Sequence, residues 1–293
     1  MPFHKESIGN RIFIIANYLF LTIASLVCIF PMLHIVAVSL SSKVAVSSGS
    51  VIAWPVDFQL NTYKFVVSNP KFYTAFVVSV ERTLLGIVCS MVLTILASYP
   101  LSLSKHKFKA RGFYVWYFLI TMLFGGGLIP TYLIVNSTGL IDTIWALIIP
   151  NAVPIFNVIL LQNFLKEIPY EISEAAYIDG AGHGTLLTRI LLPLSKPVIA
   201  TLILFVAVYH WNSWFDGMIF LNSTDKFPLQ TYLQTIVVKV NINAAAEILD
   251  NNEVVQKNAK AAQIVVAMLP ILAVYPFLQK YFTKGIVMGS VKG

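Results

Sequence analysis

The stretch EAAYIDGAGHGTLLTRILLPLSKP, Glu174 to Pro197, is a polar interval between two apolar runs that are each long enough to cross a bilayer. It therefore sits in water at a membrane surface. Ile172 to Ile178 suits a short helix: Ala175 and Ala176 are strong helix formers, and Ile172, Ala175 and Ala176 fall on one side. Asp179-Gly180 stops that helix, because glycine takes the left-handed backbone conformation at little steric cost. Leu186, Leu187, Ile190 and Leu191 recur at helical spacing and predict a second short amphipathic turn. Pro193 and Pro197 are expected to end it and restart the chain as a new span, with Ser195 placed as a cap. The product is a small helix-turn-helix knob braced on two membrane helices.

Composition agrees with a membrane setting. Of 293 residues, 57% are hydrophobic and 11% charged, against roughly 25% charged in a soluble domain. The chain reads as a polytopic, all-α integral membrane protein. Cys28 and Cys89 lie inside apolar runs without a CxxC or Cys/His cluster, so neither a disulfide framework nor a metal site is supported.

In chain order, the first span is expected over 12–40, bent at Pro31; it is too long for the apolar region of a secretory signal. Residues 41–70 mix polar and aromatic side chains and are placed outside, packed on the membrane surface through Trp54 and Phe58. A second span covers Phe72 to Leu103 and carries Glu81 and Arg82, read first as a structural charge pair, with pairing to a neighbouring subunit or to the membrane interface as the alternative. The third, about Gly112 to Val135, is interrupted at Phe124 to Pro130, where three glycines mark a broken helix or close helix packing. The fourth runs from about Ile144 to Leu165 with Pro150, Asn151, Pro154 and Asn157 inside it. A fifth is expected from Val198 to about Leu221 and a sixth from Ala261 to about Phe282.

Six spans put both termini on one side. The loop Ser104 to Arg111 holds four Lys/Arg in eight residues, and the segments on its side carry twelve in all, against seven in the longer segments opposite. This bias puts the Glu174 loop and both termini in the cytoplasm. It also accounts for the net charge of +7 without a nucleic-acid partner.

No stretch carries a catalytic constellation. G-x-x-x-x-G-K-[ST], H-E-x-x-H and G-x-S-x-G are all missing from the sequence, and His4, His34, His106, His183 and His210 are scattered. An enzyme reading has nothing to rest on, and no cofactor or metal is expected in this chain.

Glu174-Ala175-Ala176, three residues, Gly180, nine residues, Ile190, one residue, Leu192-Pro193 resembles the EAA loop of the membrane subunits of ABC importers. Asp179-Gly180-Ala181, Trp211-Asn212-Ser213-Trp214 and the tail Gly289-Ser290-Val291-Lys292-Gly293 resemble the sugar-uptake branch: the smaller permease of maltose-type systems and complex-oligosaccharide permeases. The resemblance covers nearly the whole chain. It implies a type I ABC importer permease fold with six transmembrane helices, and one permease domain over 1–293, whose core spans lie at about 72–283 and whose cytoplasmic loop is 167–197. It further implies a multi-pass protein of the cytoplasmic membrane that pairs with a second permease. Two ATPase subunits holding ATP and Mg, and an extracellular or periplasmic sugar-binding protein, complete the implied assembly. Carried onto these residues, Glu174 would be the acidic contact to the ATPase and Ala175 and Ala176 would permit close seating. Gly180 would make the turn, Asp179 would cap or brace it, Ala181 would follow in the same motif, and Gly289, Ser290, Val291 and Lys292 would reach toward the ATPase dimer interface.

For the substrate path, Asn151, Asn157, Tyr209, His210, Trp211, Asn212, Trp214 and Asp216 are the candidates. Sugar hydroxyls need paired donors and acceptors, sugar faces stack on aromatic rings, and polar residues within spans are functional candidates. The alternative is a secondary transporter or a channel subunit without an ATPase partner. The former calls for inverted repeats with matching broken helices, and no second copy of the broken third and fourth spans is found.

Overall fold

A computed structural model describes residues 8–235 and 257–273. All regular structure among the described residues is helical. The chain divides into two compact units, Met1–Asn69 with Ile236–Met268, and Pro70–Thr235 with Leu269–Gly293.

In the first unit, α1 (Ile8–Ser39) runs as one helix through Pro31. Its side chains up to Leu33 are largely exposed and apolar, a surface that suits lipid because every interior backbone group is satisfied within the helix. Its last turn is held by a short polar segment. Ser42 caps α2 (Lys43–Ser47) by accepting from Ala45 N–H at 3.2 Å, Val56 N–H donates to Ser41 Oγ at 3.0 Å, and Gln59 N–H donates to Leu40 O at 2.8 Å. Ala37, Ala45 and Val51 form the small core under these bonds. Helix α3 (Asn61–Val67) follows. Trp54 and Phe58 stand exposed.

The second unit is built on α4 (Pro70–Ser102). Its buried face reads Ala75, Ser79, Arg82, Gly86, Ser90, Thr94, Ser98: small or polar residues three and four apart, with one arginine among them. Such a stripe lets helices approach closely where lipid provides no hydrophobic drive for their association. Against it pack α8 (Ile155–Glu167) and α11 (Lys196–Asn212). Ser98 Oγ shares its hydroxyl between Thr94 O at 2.6 Å and Val158 O of α8 at 3.0 Å.

The other apolar helices are broken. Span three comprises α5 (Arg111–Leu123) and α6 (Leu128–Ser137), bent by 114° at the glycines. Gly127 takes φ +85°, a left-handed conformation that a side chain would oppose. Span four comprises α7 (Trp145–Asn151) and α8, bent by 49° around Pro154. With the third bent pair, His183–Leu194 and α11 at 83°, two unbroken helices and three bent pairs have the length and composition of spans among the described residues. Residues 257–273 are helical; the rest of the expected sixth span and the tail Gly289, Ser290, Val291 and Lys292 lie outside the described residues.

Three expectations are corrected. Pro193 does not end the second helix of the knob: α10 (His183–Leu194) runs through it, widened to a π turn over Leu186–Leu191. A regular turn there would drive the proline ring into the carbonyl of Arg189, and the wider turn relieves it. Ser195 stands at the N-cap of α11 without a side-chain capping bond; its carbonyl instead accepts from Ile199 N–H at 3.0 Å. The fifth span ends at Asn212, not Leu221, because Ser213 turns to extended backbone before α12 (Phe215–Phe220).

On the loop after α6, Asp142 adopts φ +60°, which aspartate tolerates better than most residues. Its carboxylate accepts from the N–H groups of Asn222 and Ser223 at 3.0 and 2.9 Å, from the Ser223 hydroxyl at 2.8 Å, and from Lys226 Nζ at 2.7 Å. The Lys226 ammonium first, then Ser223, hold it well below the usual carboxylate range. A depressed folded-state pKa gives stabilisation that is present above the ordinary carboxylate value and lost only as pH falls through the lower one. Asp142→Asn should therefore speed amide exchange of residues 221–227 at pH 7, whereas native protein at pH 4–5 should retain protection there.

Candidate functional site

The knob is closed by backbone geometry. Helix α9 (Tyr170–Ile178) ends in a Schellman turn: Ala181 N–H donates to Ala176 O at 2.9 Å, Gly180 N–H donates to Tyr177 O at 3.0 Å, and Gly180 takes φ +80°. Asp179 is exposed and serves this turn through its backbone. Helix α10 then folds back, burying Leu186, Leu187 and Leu191 against Met91 and Tyr99 of α4, Leu161 and Leu165 of α8, and Val198 and Leu202 of α11. The knob is thus braced by three membrane helices rather than two.

That packing sorts the residues of the loop. Glu174 and Ala175 face outward. Ala176 lies within the buried cluster, so its small size serves the chain's own packing. Ala181 is half-buried against the same cluster. Ile178 at the tip is 81% exposed, beside exposed Tyr170 and Ile172. The sequence reading missed Ile178 and Tyr170 as surface features, although an isoleucine directly before Asp-Gly in a polar loop was the available signal.

At a second place, helix breaks converge. A cleft of ≈ 730 Å³ is lined by Gly125, Gly126 and Gly127 from the break of span three, by Pro150 and Asn151 from that of span four, and by Asn212, Ser213 and Trp214 from the end of span five. Thr131, Tyr209, Phe215 and Asp216 complete its polar and aromatic walls. Irregular backbone at membrane depth is tolerated where it lines a water-filled cavity. Amides, hydroxyls and ring faces around such a space can bind a polyhydroxylated molecule.

Asp216 is held from behind. Arg82 is 0% exposed; it donates to both carboxylate oxygens of Asp216 and to Ser213 O, the last at 3.2 Å. Gly217 N–H donates to Asp216 Oδ1 at 2.9 Å. Arg82 thus pairs across to α12 and not with its neighbour Glu81, which is exposed. This corrects the expected Glu81–Arg82 pair.

Of the sequence candidates, Asn151, Tyr209, Asn212, Trp214 and Asp216 meet at the cleft. Asn157, His210 and Trp211 do not. Asn157 is buried in α8, and His210 turns its ring onto Gly86 of α4. Trp211 packs edge-on to Phe76 with ring centroids 5.8 Å apart. They belong to the helix packing that supports the cleft. Three lining features were missed: the glycines 125–127, Thr131 and Ser213. A lone arginine in an apolar span demands a counter-charge, and that demand was the available signal for linking Arg82 to Asp216.

Residues 3–288 match the family described as binding-protein-dependent transport system inner membrane component. The chain belongs to this family. The permease is 42% identical to Protein LplC of Bacillus subtilis (strain 168) over 291 residues, covering 99% of this chain and 98% of the relative. It is 40% identical to the polygalacturonan/rhamnogalacturonan transport system permease protein YtcP of the same organism, covering 97% and 99%. Among solved structures it superposes with a TM-score of 0.87 and 34% identity on a chain of a bacterial ABC transporter involved in the import of the acidic polysaccharide alginate, covering 96% of this chain and 100% of that one. The fold is therefore the type I ABC importer permease fold, and the permease is a membrane transport component rather than an enzyme. A carrier or channel acting alone is set aside.

Proposed function

We propose that this permease is one half of a heterodimeric pore that takes up an oligosaccharide, released to it by an extracellular or periplasmic binding protein and driven by two ATPase subunits that hold ATP and Mg. The observation that carries the sugar reading is the convergence of three helix breaks on one cleft walled by Asn151, Asn212, Tyr209, Thr131 and Trp214. Ring faces and amide groups are what a hydroxylated ring recognises. The relatives named for polygalacturonan/rhamnogalacturonan transport and for alginate import support the same substrate class.

The knob is the coupling element in this reading. Glu174, Ala175 and exposed Ile178 seat against the ATPase on the cytoplasmic side, where both termini also lie, and the tail residues Gly289, Ser290, Val291 and Lys292 extend toward the ATPase dimer. ATP binding then favours one of two arrangements of the spans.

The test is substrate-stimulated ATP hydrolysis and uptake by the assembled complex in lipid. Glu174→Ala removes the acidic contact. Gly180→Pro forces φ to about −65° where the turn needs +80°. Both variants are expected to assemble and to lose about 5- to 150-fold in stimulated hydrolysis and uptake, as loss of a coupling energy of about 1–3 kcal/mol implies. Full coupled activity in both would overturn the assignment of the loop.

A further inference from the structure

Most of the contact between the knob and the membrane helices is apolar, and apolar contact carries no direction. One polar cluster is different. Tyr99, in the last turns of α4, places its hydroxyl 2.6 Å from His183 Nδ1 at the start of α10. The Tyr177 hydroxyl, from the last turn of α9, reaches the same nitrogen at 3.2 Å. Both phenol rings meet the imidazole edge-on, with centroids 5.9 and 5.7 Å away. Above them Lys107, from the basic loop after α4, holds its ammonium 4.2 Å from the centre of the Tyr177 ring and 5.0 Å from that of Tyr170. Four segments thus meet at the turn that joins α9 to α10.

Through its hydroxyl, Tyr99 ties 170–195 to α4 by a side-chain hydrogen bond to His183, with the Tyr177 hydroxyl also within its reach. A hydrogen bond of this length is directional, so it fixes the register of the knob on α4 where leucine contacts would let it slide. The same helix carries Arg82, which grips Ser213 and Asp216 at the cleft. Seventeen residues separate Tyr99 from Arg82, about 25 Å of helix at 1.5 Å per residue.

We infer that Tyr99, His183 and Tyr177, steadied by Lys107, form a positioning joint through which displacement of the coupling loop is passed to α4 and so to the Arg82–Asp216 wall of the cleft. This rests on the coupling role proposed for the loop. The joint touches neither ATP nor sugar. Its loss would let the knob follow the ATPase without carrying α4 along, so hydrolysis would continue while uptake fails.

The measurement is substrate imported per ATP hydrolysed by the assembled complex in lipid, for native protein, Tyr99→Phe, His183→Ala and His183→Asn. Tyr99→Phe keeps the buried ring and removes only the hydroxyl, and His183 is exposed, so these changes spare the packing. Tyr99→Phe and His183→Ala are each expected to lower imported substrate per ATP about two- to tenfold, the worth of one hydrogen bond, with stimulated hydrolysis near native. The double variant Tyr99→Phe/His183→Ala should be no worse than His183→Ala alone, since the Tyr99–His183 bond is already lost with the imidazole. His183→Asn, whose amide can donate or accept near the Nδ1 position, should recover most of the ratio. Native ratios in both Tyr99→Phe and His183→Ala would overturn the joint. So would a parallel fall of hydrolysis and uptake in every variant, or failure of Tyr99→Phe to assemble, because either marks a merely structural contact. A native complex without ATP-dependent uptake would remove the coupling role itself, and the joint with it.

Discussion

Arg82→Leu is expected to cost the permease its folded state. The guanidinium is wholly buried in the small-residue face of α4, where it neutralises Asp216 and satisfies the Ser213 carbonyl at the break that ends α11. Removing it leaves the Asp216 carboxylate with one remaining partner, Gly217 N–H, and takes the guanidinium donor from the Ser213 carbonyl. Breaking a buried pair from one side costs about 3–5 kcal/mol, a large share of the 5–15 kcal/mol that holds an ordinary domain together. The check is the yield of monodisperse protein after detergent extraction, together with its thermal midpoint. Arg82→Leu should lose most of the monodisperse protein, and Arg82→Leu/Asp216→Leu should regain a substantial part, since replacing both charges with apolar groups is often close to neutral. Equal loss in the single and double variants would place the damage in packing volume instead of unpaired charge.

A second large effect is expected at Gly86. A Cβ built there falls well inside contact distance of the His210 ring, and that ring is fully buried between α4 and α11. Gly86→Leu must therefore push the two helices apart along the face on which the second unit is built. Overpacking of a tight interior costs about 1–3 kcal/mol for modest insertions and more when a whole side chain is forced in. A contrasting site separates this from helix propensity. Gly112 lies in α5 with nothing within 4 Å of its Cβ position, so Gly112→Ala should leave stability unchanged or raise it by up to about 1 kcal/mol. Gly86→Leu should fall below wild type by several degrees in thermal midpoint, and Gly86→Leu/His210→Ala should recover in part because the two side chains contest one volume. A Gly86→Leu variant as stable as wild type would refute the close approach of α4 and α11.

The spans were legible because bilayer thickness sets their length and hydrocarbon sets their composition; Pro70–Ser102 departs by only two residues at its start from the apolar run that predicted it. Gly180 was legible for a local reason: Asp-Gly after a helical segment has few other conformations to adopt. The course of the chain past Pro193 was not, because a proline signal says that a regular turn is forbidden and leaves open whether the helix stops or widens into a π turn. The split of Tyr209, His210, Trp211 and Asn212 between cleft and core was hidden as well. Consecutive residues on a helix point about 100° apart, so four adjacent polar or aromatic side chains cannot all face one space. Which of them turned inward depended on the stripe of small residues on α4, more than a hundred residues away in sequence. Ala176 shows the same limit at the knob: the motif names it, but only the packing of Leu186 and Leu161 decides that it faces inward.

Gly180 at the tip of the knob has open space around it and a backbone at φ +80°. What position 180 selects against is therefore handedness and not bulk. An L-alanine there has ample room and still opposes the turn, whereas its mirror image would accept the turn and fill the same empty space without strain. A synthetic knob carrying D-alanine at 180 would keep its shape with less freedom to lose, which makes this chiral selection separable from every demand that a partner surface places on the same spot.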